Sequence, residues 1–170
     1  KNKHSEISGF IGKKQTEITK YLSLLREDFE IILRKTPLIS GNKGIYSIKN
    51  NLINFWFGNV WKYNELLETL QEDKIKDNLK IDVNKHISRT FERIIMELIH
   101  KRILLSELKF SKTGNQWGNF RTSEGKNSYE IDIVGINDNK EILFAECKWK
   151  NNVNAIEIAK ELNEKTKYVE

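Results

Sequence analysis

Two short runs of alternating residues constrain this chain more than anything else in it. Tyr129-Glu130-Ile131-Asp132-Ile133-Val134 and Leu143-Phe144-Ala145-Glu146-Cys147-Lys148-Trp149 switch side with the period of a β-strand, and Asn137-Asp138-Asn139-Lys140 supplies a polar turn between them. The spacing predicts strands over 128–137 and 141–150. Successive strand residues face opposite sides, so Glu130, Asp132 and Val134 share one face, and Phe144, Glu146 and Lys148 share another, with Ala145, Cys147 and Trp149 behind it. If the two strands pair as a hairpin with those faces aligned, Asp132, Glu146 and Lys148 converge.

Charges in strands that are otherwise Ile131, Ile133, Ile142, Leu143, Phe144 and Ala145 need a reason. Two carboxylates on adjacent strands are hard oxygen ligands suited to Mg2+ or Mn2+. A cation held there polarises a phosphate and acidifies a water. A lysine two residues from the second carboxylate can orient that water or stabilise charge growing on phosphate oxygens. The competing explanation of D-x13-E-x-K is a solvated ladder of ion pairs. Upstream, Asp82 can cap a helix over 82–105 whose buried side is Ile87, Phe91, Ile94, Ile95, Leu98 and Ile99. Glu92 sits beside that stripe.

The N-terminal third carries a different pattern. Ser5 can cap a short helix with Ile7, Phe10 and Ile11 on its apolar side, and Gly12 breaks it. A second helix over 15–27 places Ile18, Tyr21, Leu22 and Leu25 at helical spacing. Lys13, Lys14, Gln15, Thr16, Thr19, Lys20 and Ser23 lie opposite, with Glu17 the one acid among them. Two β-like runs, 29–36 and 44–48, flank Ser40-Gly41-Asn42-Lys43-Gly44, whose glycines suit a hairpin loop. Helix, turn, helix and hairpin is the layout of a winged helix, in which the second helix enters the major groove of DNA. Its basic face and Lys43 are the expected DNA contacts; packing against a neighbouring protein is the alternative.

Charge supports that division. Residues 1–50 hold ten Lys/Arg against five Asp/Glu, whereas 51–170 hold nineteen of each. The entire formal charge of +5 therefore sits in the first third, where a polyanion is the expected partner. Between the two ends, Leu52, Ile53, Phe55, Trp56, Phe57, Val60 and Trp61 form the densest aromatic cluster, expected to be a buried helix, with a base-stacking platform as the alternative. Residues 62–81 are strongly charged and predict a solvated helix and linker. The domain division is thus 1–50, 51–81 and 82–170.

One cysteine, Cys147, excludes an internal disulfide and a cysteine-based zinc cluster. No apolar run reaches membrane-spanning length, and the polar start has no signal-peptide core, so a cytoplasmic location is expected. The chain starts at Lys1 and ends on Tyr168-Val169-Glu170, which reads as a strand beginning, so a piece of a longer protein is expected. No G-x-x-x-x-G-K-[ST] occurs, so any nucleotide-binding domain lies outside these residues.

Residues 129–134 followed by 142–149 strongly resemble the C-terminal domain of the archaeal ATPase family. In that family an AAA+ type P-loop ATPase is followed by a winged helix and a PD-(D/E)XK-like domain, similar to archaeal Holliday-junction resolvases. Leu52-Ile53-Asn54-Phe55-Trp56-Phe57 resembles the family's segment after the wing, and Arg89-Thr90-Phe91-Glu92-Arg93 its helix with the first acidic motif. The resemblance spans 5–150. It implies an α/β (α+β) fold, a winged helix followed by a restriction-endonuclease-like mixed sheet flanked by helices. It makes Asp132 and Glu146 the metal ligands, Lys148 the catalytic lysine and Glu92 the helical acid. Ile131 replaces the proline of the motif's name. The implied function is Mg2+- (or Mn2+-) dependent endonuclease cleavage of DNA, branched DNA included. The implied partners are DNA, a second copy of the chain and the ATPase domain. A non-catalytic DNA-binding or regulatory arm of the ATPase, its acids vestigial, is the alternative.

Overall fold

Helices and two small antiparallel sheets make a mixed α+β chain in the computed structural model, which describes residues 3–41, 44–68, 72–101, 103–123 and 125–169. The chain separates into two compact units, Lys1–Lys35 with Gly44–Ser88, and Thr36–Lys43 with Arg89–Glu170. No helix among the described residues is long and apolar enough to cross a membrane.

The first unit opens with α1 (His4–Ile11) and α2 (Gln15–Glu27). Glu6 and Glu17, at the third position of each helix, accept from the backbone N–H of Lys3 and Lys14 (3.4 and 3.3 Å), which stabilises both starts. The first helix therefore starts one residue before the expected cap, Ser5. Gly12 ends it at φ 72°, a conformation that glycine adopts without the Cβ penalty. Ile18 and Leu22 of α2 are buried, but the expected apolar side of α1 is not: Phe10 is 89% exposed, and Ser8 is the buried residue. Strands β1 (Ile32–Lys35) and β2 (Ile45–Ile48) pair antiparallel, with Lys3 bridging to Ile45 beyond them.

The aromatic segment departs from its expected burial. Asn50 caps α3 (Asn51–Phe55) by accepting from Leu52 and Ile53 N–H, after which Trp56–Val60 winds as a π-helix and Trp61–Tyr63 as a 3₁₀ turn. These changes of pitch rotate successive side chains off a single stripe. Asn59 and Tyr63 are buried, whereas Leu52, Trp56, Phe57 and Trp61 stay exposed. Helix α4 (Asn64–Glu68) follows. The long helix α5 (Glu72–His100) begins ten residues before Asp82. Asp82 is hence no cap: its Oδ2 accepts from Lys62 Nζ (2.5 Å) and Tyr63 OH (2.6 Å). Ile94, placed on the buried side from its spacing, is exposed.

The second unit is built on the order β3 (Phe110–Thr122), β4 (Gly125–Asn137), β5 (Ile142–Ala145). Every pairing among the described residues is antiparallel, where the resemblance implied a mixed sheet. Helix α6 (Ala155–Thr166), capped by Asn154, lays Leu162 on a core of Tyr129, Ile131 and Val134. Leu38 and Ile39 join that core because Leu38 N–H donates to the Asn115 carbonyl and Ile39 N–H to the fully buried Gln116 side chain, both at 3.0 Å. The link between β1 and β2 is nine residues long, and its Leu38 and Ile39 hydrogen-bond to β3; Asn42 and Lys43 of the expected hairpin loop lie outside the described residues.

Candidate active site

The position of Asp132 depends on an irregularity in β4. Gly114 pairs with Val134, yet Gln116 pairs with Ile131, so β4 advances three residues where β3 advances two. Such a bulge reverses the alternation of side chains across it. Tyr129 and Ile131 before the bulge and Val134 and Ile136 after it all face one core. Val134 consequently does not share a face with Glu130 and Asp132, as strict alternation requires. Asn115 lies opposite the bulge and donates from its amide to the Asp132 carbonyl (2.6 Å), satisfying an acceptor displaced from the ladder. The Asp132 side chain, half-buried, accepts the Cys147 N–H at Oδ2 (2.9 Å).

That same bond explains why β5 stops early. Its ladder runs Ile136↔Ile142 to Ile133↔Ala145, and the next N–H to be placed turns to the Asp132 carboxylate instead. Glu146 and Lys148 thus sit just past the strand's end, on an extension of it. The Glu146 side chain, 4% exposed, lies close enough to that of Asp132 for each carboxyl to shift the other's proton affinity. Its Oε2 accepts from Lys148 Nζ (3.0 Å), and its Oε1 accepts from Lys165 Nζ, in the last turn of α6. Lys165 is not among the residues expected from the sequence, and neither is α6. The signal is nevertheless present there: Ile158, Leu162, Lys165 and Val169 fall on one helical stripe, and a lysine within it calls for a buried acid as partner.

Glu92 of α5 completes the group. The Phe91 ring packs on Trp149 (centroids 5.3 Å apart), which sets the neighbouring Glu92 within the field of Asp132 and Glu130. Burial first, then those two acids, raise its proton affinity. Burial also raises Asp132, with the adjacent Glu146 adding to it, to about 6. Glu146 moves the other way: burial alone would raise it, but Lys165 and Lys148 outweigh that and hold it below the ordinary glutamate range. One carboxyl of the pair readily keeps a proton, and the other stays ionised. Cys147 is half-buried, with its thiol pushed up to about 11 by burial and by Asp132, Glu92 and Glu146. Trp149, expected behind the sheet, is 52% exposed.

Asp132, Glu146, Lys148 and Lys165 are therefore brought together, and Glu92 is near enough for the charge of Asp132 to reach it. No group of three or more His, Cys, Asp or Glu set to hold a metal ion occurs among the described residues. A hydrated Mg2+ does not require one, since it is held by one or two carboxylates, waters and substrate phosphates. Two adjacent hard carboxylates are a donor set of that kind, and the fit is to Mg2+ or Mn2+ rather than to a thiolate-seeking ion.

The candidate DNA contacts belong to the first unit. Lys13, Lys14, Gln15, Thr16, Thr19 and Lys20 are all exposed along the start of α2 and its approach. The Thr19 hydroxyl donates to the Gln15 carbonyl (2.9 Å) and meets His4 Nε2 (3.0 Å), which fixes α1 against α2. Glu17, the acid on this face, is accounted for by its capping bond to Lys14. Lys43 lies outside the described residues.

Comparison with known proteins adds kinship. The model of a family described as archaea bacterial proteins of unknown function (DUF234) matches residues 56–163. An uncharacterized protein of Methanocaldococcus jannaschii, MJECL04, is 33% identical over 153 residues, covering 86% of this chain. The match covers 32% of that relative, so the chain corresponds to about one third of its length. No solved structure matches.

Proposed function

We propose that this chain, which belongs to the family of archaeal and bacterial proteins matched over 56–163, is a metal-dependent DNA endonuclease module of the PD-(D/E)XK type. One observation carries the reading: Asp132, displaced by the β4 bulge, accepts the Cys147 N–H just past the end of β5, which sets its carboxylate beside that of Glu146, with Lys148 on Glu146 Oε2. Asp132 and Glu146 would hold Mg2+ or Mn2+. That ion, when bound, supplies positive charge to a phosphate and acidifies a water. Burial works against the Lys148 charge, but Glu146, Asp132 and Glu161 together outweigh it and raise its proton affinity, so Lys148 has a fixed charge for phosphate oxygens. Glu92 is a further acid within the field of Asp132, its proton affinity raised by burial and by that neighbour. In the first unit α1, α2 and the β1–β2 hairpin form a winged helix, whose exposed basic face on α2 binds duplex DNA. The module works within a longer ATPase-containing protein and pairs with a second copy to cut both strands.

A second reading has its own support. Both oxygens of Glu146 already carry lysine ammonium groups, as a structural ion-pair cluster would arrange them. On that reading the chain is a non-catalytic DNA-binding or regulatory arm of the ATPase. Incubation with supercoiled plasmid and with branched DNA separates the two. The endonuclease nicks or cuts with Mg2+ or Mn2+ and is silent with EDTA, while the regulatory arm binds DNA and leaves it intact in all three.

A further inference from the structure

We propose that Lys165 is an internal counter-ion that occupies the Glu146 carboxylate until a divalent cation displaces it. The inference rests on the metal reading of the Asp132–Glu146 pair. Glu146 has two oxygens and two cations: Lys148 at Oε2 (3.0 Å) and Lys165 at Oε1. Its side chain is 4% exposed, so water compensates little of its charge and the ammonium groups carry that task. A cation held by Asp132 and Glu146 would draw on the charge of this carboxylate, and an ammonium group already on it would repel that cation.

The two lysines differ in how they are tethered. Lys148 is two residues from Glu146 on the same extended segment, so it stays beside the carboxylate whichever oxygen it uses. Lys165 comes from a separate element, α6, and its side chain keeps 30% of its exposure, which leaves an open path to solvent for a flexible stem. Lys165 is therefore the cation that yields. The packing of Leu162 and Val169 on the core holds α6, and Lys165 with it, at the site in the metal-free state, where Lys148 would otherwise be the one ammonium group on Glu146. Metal binding and the Lys165–Glu146 pair exclude each other, and such coupling is reciprocal.

The test is calorimetric titration of Mn2+ into wild type and Lys165→Met, with thermal unfolding of each in EDTA and in saturating Mn2+. Lys165→Gln serves as the second variant if the methionine protein does not fold. The expected result is Mn2+ binding about tenfold tighter or more in the variant. Its melting temperature falls in EDTA, and that loss disappears in Mn2+. Unchanged Mn2+ affinity, with the same loss of melting temperature in both buffers, makes Lys165 a staple between α6 and the sheet and overturns the proposal while leaving the metal site standing. Absence of Mn2+ uptake by wild type and variant alike overturns the metal reading, and the counter-ion role with it.

Discussion

Asp132 concentrates the physical conflict of the site in one side chain. Burial and the neighbouring Glu146 lift it to about 6, above its value in an unfolded chain. A carboxyl raised in this way favours the fold while protonated, so its contribution is complete at acid pH and is lost as pH rises from about 4 through 6. Metal-free protein should accordingly lose melting temperature across that window. Asp132→Asn, which cannot ionise, should be more stable than wild type at pH 8 by about 1–2 kcal/mol and no more stable near pH 4. Equal pH profiles for the two proteins would remove the strain assigned to this residue. Cys147 gives an independent check on the same field. With its thiol at about 11, native protein at pH 8 should react with a thiol reagent about a hundredfold or more slowly than the denatured chain. Fast native labelling would mean that the acids do not surround it.

Among the elements, β4 and α6 show where the sequence was legible and where it was not. Alternation in 129–134 and 142–149 located two strands and the polar turn at 137–140, and through them Asp132, Glu146 and Lys148. It could not reveal the bulge, because no single residue in Ile131-Asp132-Ile133 marks one; the shift appears only when β3 is paired against it. Strand β3 was hidden for a related reason, since its Gly114-Asn115-Gln116 stretch has little β-propensity and is held by pairing and by the buried Gln116 amide. Hydrophobicity alone places the aromatic cluster at 52–61 in a core, whereas Leu52, Trp56, Phe57 and Trp61 are exposed, two of them on the π-helical turn. Helix α6 followed a readable stripe that the charged surroundings of 157–167 obscured. The bulge itself is open to test. Asn115→Ala removes the donor to the Asp132 carbonyl and should destabilise by about 1–3 kcal/mol, because a partly buried acceptor is left unpaired. Differential scanning calorimetry measures it, and an effect near zero would mean that β4 holds the bulge without help.

At the scale of the whole molecule, charge and chemistry divide between the two units. The excess of basic residues lies within 1–50, and the exposed Lys13, Lys14 and Lys20 fall on or beside α2 of the first unit. Asp132, Glu146, Lys148 and Glu92 belong to the second. DNA affinity and DNA cleavage are therefore expected to respond to different substitutions. Replacing Lys13, Lys14 and Lys20 with glutamate should weaken binding and flatten its dependence on salt, by a slope of about 0.9 for each phosphate no longer neutralised. An unchanged salt slope would take these residues out of the interface.

Under the proposed function the Asp132–Glu146 pair would bind a metal with which this chain cuts DNA. The most direct measurement is single-turnover cleavage of a labelled branched DNA in Mn2+ by wild type and Asp132→Asn, with DNA affinity measured in parallel. Wild type should cut in Mn2+ and not in EDTA, and Asp132→Asn should bind DNA at least as tightly and cut none of it. Lys148→Ala in the same assay should slow the step by on the order of 10² or more while Mn2+ affinity is kept. Cleavage by Asp132→Asn at the wild-type rate, or intact DNA with wild type in every metal, would mean that the Asp132–Glu146 pair is not a nuclease site.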